Sequence, residues 1–324
     1  MKISVIGAGA FGFSIASRLC TNPDHEVVVW AEVQSKVDEF YEKGSMACVL
    51  NDVPLPRDVE VTASMERAVA GQDLIFVLPA AAFVESVCEQ MAPHLAASTP
   101  VIIGSKGACP NGEMPAAGAE RALGREISTM GGPGFAIDIL EGVPVGFTLA
   151  TRDDACFDLV REAFAHDATV TLDRSADTLG IELASCIKNA AAIATGALHG
   201  AGYPISTQCL LMQRVLSDLG DMLEAIPGGS RETALSLAGV GDMALTCFSP
   251  KSRNCSFGRL VGEFGYSSPE AQDYLAKTTV EGVSVVRSWP EMSGFLGVSS
   301  PFMDAARKAF SEGGTVEQLL DCVM

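Results

Sequence analysis

The chain has 324 residues, enough for two domains, and its formal net charge of −18 argues against nucleic acid as a partner, because a phosphate backbone requires a basic surface. Its apolar content is ordinary and its N-terminus lacks the layout of a signal peptide, so we expect a cytoplasmic protein without membrane insertion. The ten cysteines are scattered with no C-x-x-C pair, so we expect neither a metal site nor a disulfide framework.

The first predicted element is a strand that ends in a glycine-rich turn and is followed by a helix. Residues 2–12 read Lys-Ile-Ser-Val-Ile-Gly-Ala-Gly-Ala-Phe-Gly, which is G-x-G-x-x-G in a strand–turn–helix context. The first glycine permits a tight turn, the second lets a pyrophosphate approach the backbone, and the third allows close helix–strand packing. The alternative is a glycine-rich turn without a ligand. We predict a dinucleotide site that includes Gly7, Gly9, Ala10, Phe11 and Gly12.

Glu32 follows the second predicted strand, residues 26–30. An acidic side chain about 20 residues past the glycines commonly binds the adenosine ribose hydroxyls of NAD. A carboxylate there would repel the 2′-phosphate of NADP, and no cation stands beside it before Lys36. The sequence therefore favours NAD over NADP, with a solvated surface glutamate as the alternative interpretation.

Strands and helices continue to alternate as far as residue 172. We predict strands at residues 73–79, 100–104, 126–130, 146–150 and 169–172. Such alternation predicts an α/β domain with a Rossmann-type, doubly wound, parallel sheet over residues 1–176. Ligands of these sheets bind outside the carboxyl ends of the strands. Three predicted site residues or loops follow strands and are expected at that edge: Pro79, Lys106 and the loop 131–136, which ends at Ala136.

After residue 173 helical segments dominate, which predicts an all-α C-terminal domain over residues 177–324. Its first helix, residues 177–200, is apolar nearly all round and therefore typical of a buried core helix. Lys188 and Asn189 nevertheless lie inside it. Because an unpaired lysine is expensive to bury, Lys188 is either a paired structural residue or a catalytic one.

Residues 238–257 form a second stretch with candidate chemistry. Gly239 and Gly241 precede Asp242, and the turn at residues 249–254 carries two cations and an amide. The planar guanidinium of Arg253 suits a phosphate. An ordinary polar loop is the alternative interpretation of this turn.

Taken together, the two halves resemble the NAD(P)-dependent glycerol-3-phosphate dehydrogenases over nearly the whole chain. The ordered Lys-Asn, Gly-Asp and Ser-Arg-Asn segments are far more specific than the glycines alone. The matching stretches are residues 7–12, 105–107, 132–136, 181–189, 238–246, 252–254 and 280–283.

The resemblance implies a role for each matched residue. Lys188 would be the catalytic general acid/base, with Asp242 as its carboxylate partner. Glu281, Pro79 and Ala136 would lie near the cofactor, as would Arg253. The substrate and its phosphate would contact Lys106, Asn189, Thr246, Arg253 and Asn254. The resemblance further implies a homodimer and a role in phospholipid metabolism.

Several positions depart from the family pattern, at the periphery of the implied pocket. Family members usually have serine where Gly134 stands, often have arginine at Glu32, and carry a more polar pair at Ala80-Ala81. After the first helix of the second half they usually read Gly-Tyr-Gly-Asp-Asn, whereas residues 202–206 read Gly-Tyr-Pro-Ile-Ser.

These residues are compatible with three functions. The leading hypothesis is the NAD-dependent interconversion of sn-glycerol 3-phosphate and dihydroxyacetone phosphate. The runner-up is a related dehydrogenase for another small anionic ketone or hydroxy acid, since the Lys-Asn pair is also similar to that of the β-hydroxyacid dehydrogenases. The third is a non-catalytic dinucleotide sensor, against which the retention of Lys188 and Asp242 argues.

Overall fold

The chain folds into two compact units in a computed structural model that describes residues 1–45, 58–311 and 315–322. The first unit comprises Met1–Ser105, Pro115–Met130 and Gly134–Thr178. The second comprises Lys106–Met114, Gly131–Pro133 and Leu179–Met324. Two short stretches of the range 1–176 thus belong to the second unit, and both include residues singled out by the sequence.

The first unit is built on an eight-stranded, mostly parallel sheet, as predicted. Its strand order is β3-β2-β1-β4-β5-β6-β7-β8, and Ile3 of the first strand pairs in parallel with both Val27 and Leu74. Ser128 begins the sixth strand, and its hydroxyl donates to Thr151, which follows the end of the neighbouring seventh strand. The seventh strand therefore runs opposite to the sixth, and the eighth is parallel to the seventh. The strands are β1 Lys2–Ile6, β2 Glu26–Trp30, β3 Glu60–Thr62, β4 Leu74–Val77, β5 Val101–Ile103, β6 Ser128–Gly131, β7 Val145–Ala150 and β8 Val170–Ser175.

Helices cover both faces of this sheet, which confirms the predicted doubly wound arrangement. Successive side chains of a strand point to opposite faces, so Ile3 and Val5 enter one apolar cluster with Phe13, while Ile6 enters the other with Val84. The α-helices are α1 Ala10–Leu19, α2 Gln34–Lys43, α3 Met65–Val69, α4 Val84–Met91, α5 Pro115–Leu123, α6 Ala136–Leu140 and α7 Asp154–Ala163.

The described part of the second unit beyond residue 178 is helical, as predicted. One large apolar cluster fills it, from Met114 to Leu319. The nine described cysteines are all free, and five of them are buried. The α-helices are α8 Thr178–Gly200, α9 Ile205–Ala225, α10 Asp242–Phe248, α11 Arg253–Phe264, α12 Pro269–Lys277, α13 Glu281–Arg287, α14 Trp289–Leu296 and α15 Pro301–Ser311.

Residues 231–241 do not form one continuous helix. The structure has a 3-10 turn at Arg231–Leu235 and a π-helical turn at Leu237–Gly241. Ser236 separates them because it adopts an extended conformation and its hydroxyl accepts the amide hydrogen of Gly239. A serine that bonds a nearby amide in this way competes with a continuous helix.

Helix α8 is the one helix among the described residues that is long and apolar enough to cross a membrane, with a mean hydropathy of 1.2. Its apolar window is entirely buried inside the protein. The core helix of a globular protein gives the same signal, and α8 occupies that position here.

Candidate active site

Helix α8 carries two polar residues of the candidate site, Lys188 and Asn189. Both are buried, with 5 % and 1 % of their surface exposed. Consecutive residues of an α-helix point about 100° apart, so the two side chains face different neighbours. Lys188 reaches α10, while Asn189 reaches α11 and α13.

Glycines allow α11 to lie directly against α8. A Cβ atom at Gly196 would come within 2.2 Å of the Cys255 carbonyl oxygen, and one at Gly258 within 2.1 Å of the Ile193 carbonyl oxygen. Any larger residue at these positions would push the helices apart. This backbone contact holds the first turn of α11, including Asn254, within hydrogen-bond distance of α8.

The π-helical turn Leu237–Gly241 leads directly into Asp242, the first residue of α10. Gly241 packs beside Pro133 of the same unit, where an added Cβ would lie 3.3 Å from the proline ring. Asp242 is 1 % exposed. The irregular turn therefore delivers a carboxylate into the interior, where its charge requires partners.

Two lysines provide those partners. The Lys188 ammonium donates to one carboxylate oxygen of Asp242 at 2.9 Å, and the Lys106 ammonium donates to the other at 2.9 Å. Lys188 also donates to the Thr246 hydroxyl at 3.1 Å, which in turn donates to the Asp242 carbonyl oxygen at 2.7 Å. The arrangement is a carboxylate shared by two cations, which we call the Lys–Asp–Lys cluster (Lys106, Asp242 and Lys188).

The two lysines differ in environment. The Lys188 side chain is 6 % exposed, whereas that of Lys106 is 19 % exposed. Burial lowers the pKa of Lys188, and although Asp242 opposes this, the positive charge of Lys106 lowers it further, so the net pKa lies below the ordinary value for lysine. A lowered pKa makes the Lys188 ammonium a readier proton donor than an ordinary lysine.

The other two members of the cluster remain charged. Burial opposes ionisation of Asp242, but the adjacent lysines outweigh it and lower the pKa of the carboxyl. Burial also opposes the charge on Lys106, but Asp242 outweighs it and raises the pKa of that ammonium. The cluster therefore keeps one fixed carboxylate, one fixed cation and one adjustable proton donor.

Asn189 joins a second network. Its amide group donates to a Glu281 carboxylate oxygen at 3.1 Å, and its oxygen accepts from Asn254 at 2.9 Å. The Asn254 oxygen accepts the backbone amide hydrogen of Gly282 at 2.9 Å. The network ties α8, α11 and the start of α13 together and fixes the direction in which each amide points.

Arg253 stands at the first residue of α11 and is exposed. The preceding Ser252 caps the helix, since its hydroxyl accepts the amide hydrogen of Cys255 at 3.2 Å. Sequence reasoning assigned no role to Ser252 alone, although a serine just before a helix is a recognisable cap signal. The cap places the Arg253 guanidinium and the Asn254 amide in the same first turn.

The glycine turn of the first unit has the geometry that its sequence predicts. Gly7 has a φ of 125°, a left-handed conformation that favours glycine. A Cβ at Gly12 would lie 2.0 Å from the Gly7 carbonyl oxygen, whereas one at Gly9 meets nothing within 4 Å. The turn is therefore tight and closely packed, and it leaves open space at Gly9, which fits a pyrophosphate approaching the backbone.

A cavity of about 440 Å³ lies beside this turn, within the first unit. Gly7, Gly9, Glu32 and Pro79 line it, as the sequence predicts for one site. Lining residues that sequence reasoning did not assign are Trp30, Lys36, Ala80 and Phe83, together with Ala8, Leu78, Ser86, Val87 and Gln90.

The remaining predicted cofactor residues lie elsewhere. Ala10 and Phe11 begin α1, directly after the open position at Gly9, and Ala136 begins α6. Arg253 and Glu281 belong to the second unit. Within residues 1–45, 58–311 and 315–322, no group of three or more His, Cys, Asp or Glu side chains is arranged to hold a metal ion.

Comparison with known proteins identifies the family. The model of the NAD-dependent glycerol-3-phosphate dehydrogenase N-terminus matches residues 2–157, and the model of the C-terminus matches residues 177–321. The chain belongs to the NAD-dependent glycerol-3-phosphate dehydrogenase family. Members of this family are NAD(P)-dependent oxidoreductases, so the protein is an enzyme of that class.

Individual relatives match this chain over nearly their whole length. Glycerol-3-phosphate dehydrogenase [NAD(P)+] from Parvibaculum lavamentivorans is 30 % identical over 329 residues, covering 100 % of this chain and 96 % of the relative. The enzyme of the same name from Nitrosospira multiformis is also 30 % identical, with 100 % and 97 % coverage. The crystal structure of glycerol-3-phosphate dehydrogenase from Coxiella burnetii superposes with a TM-score of 0.89 at 25 % identity, covering 99 % of this chain and 97 % of that one.

Proposed function

We propose that the protein interconverts sn-glycerol 3-phosphate and dihydroxyacetone phosphate with NAD(H). The observation that carries this proposal is the Lys–Asp–Lys cluster, in which Asp242 lies 2.9 Å from both lysine ammoniums. Reduction of a ketone creates negative charge on its oxygen, so the reaction needs a proton donor and a positive charge at that point. The cluster contains both.

Lys188 is the proposed proton donor. When the ketone is reduced, a proton passes from Nζ of Lys188 to the substrate oxygen, and in the reverse reaction the neutral amine takes it back. The lowered pKa of Lys188 favours release of this proton to the substrate. Asp242 and Thr246 hold the amine in place through contacts of 2.9 and 3.1 Å.

Lys106 is the proposed fixed cation. Its raised pKa keeps it charged, and its partly exposed side chain leaves it accessible to a substrate. A permanent positive charge beside the developing alkoxide stabilises the transition state. We therefore assign Lys106 to electrostatic stabilisation and Lys188 to proton transfer.

The phosphate of the substrate is assigned to the first turn of α11. Arg253 is exposed there and offers a planar fork of donors, with Asn254 next to it. Asn189 is held by Glu281 and Asn254. It therefore fixes the position of the Asn254 amide, in addition to any direct contact that it makes with the phosphate. Anchoring the phosphate would hold the carbonyl in one position and lower the entropic part of the barrier.

The residues of the first unit fit the cofactor. The open space at Gly9 accommodates a pyrophosphate, which the N-terminus of α1 favours electrostatically. We assign the contacts to the Gly7–Gly12 turn (with Ala10 and Phe11), to Glu32 and Pro79 in the cavity, and to Ala136, Arg253 and Glu281. The nicotinamide, when bound, supplies or accepts the hydride. Glu32 supports NAD over NADP.

A second candidate function is the oxidation and reduction of another small anionic ketone or hydroxy acid. It is favoured by two departures from the family pattern, Gly134 and residues 204–206. At Gly134 an added Cβ would lie 3.0 Å from the side chain of Ile139, so a serine there would require Ile139 to shift. The first unit is thus packed around a glycine at a position where the family usually has a hydroxyl.

One assay separates these functions. The fall in NADH absorbance is followed with dihydroxyacetone phosphate, with unphosphorylated dihydroxyacetone and with a panel of other anionic ketones, each repeated with NADPH. Turnover restricted to the phosphorylated ketone supports the proposal and the phosphate clamp. A much higher kcat/KM for another anionic ketone would replace it with the second candidate. NADH binding without any turnover would indicate a dinucleotide sensor.

The proposed activity also implies a role for each domain and a cellular role for the protein. We propose that residues 1–176 bind the dinucleotide and residues 177–324 the substrate, with segment 106–114 contributing Lys106 to the second unit. A cytoplasmic homodimer that supplies glycerol 3-phosphate to phospholipid metabolism fits this activity. The net charge of −18 argues against a nucleic-acid partner.

A further inference from the structure

Lys36 lies in the cavity beside the glycine turn, although the sequence pattern gives it no role. It stands in the first turn of α2, and its ammonium pairs with the carboxylate of Glu32, four residues earlier. The cavity is lined by Glu32, Lys36, Trp30 and the glycine turn. The ion pair is therefore part of the cavity wall.

The pair balances the charge of this cavity. Among the described residues that line it, Lys36 is the one cation and Glu32 the one carboxylate. The Lys36 side chain is 27 % exposed and that of Glu32 is 52 % exposed, so both can contact a ligand. Burial opposes the charge on Glu32, but the hydrogen bond from Lys36 outweighs it and lowers the pKa of the carboxyl, so the carboxylate persists at neutral pH.

We propose that Lys36 is a second determinant of cofactor specificity. While Glu32 is present, Lys36 serves as its counter-ion and the carboxylate is available to ribose hydroxyls. When Glu32 is absent, Lys36 becomes the ligand of the 2′-phosphate of NADP. This inference rests on the proposed function, because it assumes that the cavity binds the adenosine end of the dinucleotide.

The physical reason is competition for one ammonium. A phosphate and a carboxylate both require a cation, and the single ammonium of Lys36 cannot neutralise both fully. With Glu32 present, the 2′-phosphate meets a like charge whose counter-ion is already engaged. Without it, the same ammonium faces the phosphate alone. The cavity would thus contain a cation suited to NADP, Lys36, and a single residue, Glu32, would offset its charge.

The test measures binding and does not depend on turnover. The dissociation constants of NADH and NADPH are determined by titration calorimetry for the wild type, Glu32→Ser, Lys36→Met and the double variant. A matched control is Glu39→Ser, because Glu39 pairs with Lys43 at 3.2 Å with the same four-residue spacing, within the helix that carries Lys36, but does not line the cavity.

The expected result is a gain in NADPH affinity that depends on Lys36. Glu32→Ser should bind NADPH about tenfold more tightly than the wild type, and the double variant should lose that gain. Lys36→Met alone should weaken NADPH binding, and Glu39→Ser should bind both cofactors as the wild type does.

Other outcomes would overturn the inference. Equal NADPH gains in Glu32→Ser and the double variant would mean that only repulsion was removed and that Lys36 has no part. If Glu32→Ser shows no gain in NADPH affinity while the wild type binds NADH normally, the Glu32–Lys36 pair does not determine cofactor specificity. A wild type that binds neither NADH nor NADPH would instead refute the proposed dinucleotide site, and the inference with it.

Discussion

Replacing Asp242 with asparagine would remove the carboxylate on which both lysines of the cluster depend. The side chain keeps its shape, so the change isolates charge. Asp242 lies 2.9 Å from each ammonium and its side chain is 2 % exposed. Lys188, at 6 % exposure, would remain buried without the carboxylate that it contacts.

The expected loss of folding stability follows from that burial. Removing one partner of a buried ion pair costs about 3–5 kcal/mol, a large part of the stability of a typical domain. Loss of Asp242 also removes the contribution that raises the pKa of Lys188, so burial and Lys106 lower it further. Lys188 then loses its proton more readily than in the wild type, and reductive kcat should fall by about 100-fold or more.

The assay combines urea unfolding with steady-state kinetics of ketone reduction. Asp273→Asn is the matched control, because Asp273 pairs with Lys277 at 2.7 Å but the two side chains are 62 % and 71 % exposed. An exposed pair of this kind is worth less than about 1 kcal/mol. Adding Lys188→Met to Asp242→Asn should recover stability but not activity, since it removes an amine that must otherwise be buried without its carboxylate partner or give up its proton on folding.

Two results would refute this reasoning. If Asp242→Asn destabilises the protein no more than Asp273→Asn, the cluster does not depend on its carboxylate. If the variant keeps the wild-type kcat, Asp242 does not support proton transfer by Lys188.

Three further variants probe the same site. Lys188→Ala should lower kcat by about 100-fold or more while the dissociation constant of NADH stays unchanged, and an undiminished kcat would contradict its role in proton transfer. Lys106→Met removes a charge that lowers the pKa of Lys188, so the pH at which ketone reduction declines should move upward; a profile at the wild-type position or below it would argue against the coupling. Arg253→Ala should raise KM for the phosphorylated ketone by about tenfold, with unphosphorylated dihydroxyacetone as the control, and an unaltered KM would remove Arg253 from the phosphate clamp.

The glycine turn could be predicted from the sequence because it is local. The β-branched run, the spacing of Gly7, Gly9 and Gly12 and the following helix lie within about 20 residues, and each glycine has its own steric reason. The alternation of strands and helices and the change to helices after residue 173 are also local patterns. They were enough to predict a doubly wound sheet followed by a helical region.

Some local elements were not predicted. Helix α2 begins at Gln34, the preceding Val33 forms no side-chain cap, and its residues are mostly polar, so its apolar signal is weak. Helix α7 does carry a local signal, since Asp153 caps it and Cys156, Val160 and Ala163 are buried at helical spacing, but this signal was not used. The short strand β3 has three residues and forms only through pairing with β2. In α2 and β3, tertiary packing and strand pairing, more than intrinsic propensity, select the structure.

What the sequence by itself determined is the fold class, the glycine turn and the presence of a lysine, an aspartate and an arginine in an order that resembles a family. The tertiary structure alone decided that Asp242 is shared by two lysines, because Lys188 is 54 residues from it and Lys106 is 136 residues from it. It also decided that Asn189 is held between Glu281 and Asn254. Charges so distant in sequence acquire shifted pKa values only when folding removes them from water and sets them at contact distance, which no local pattern encodes.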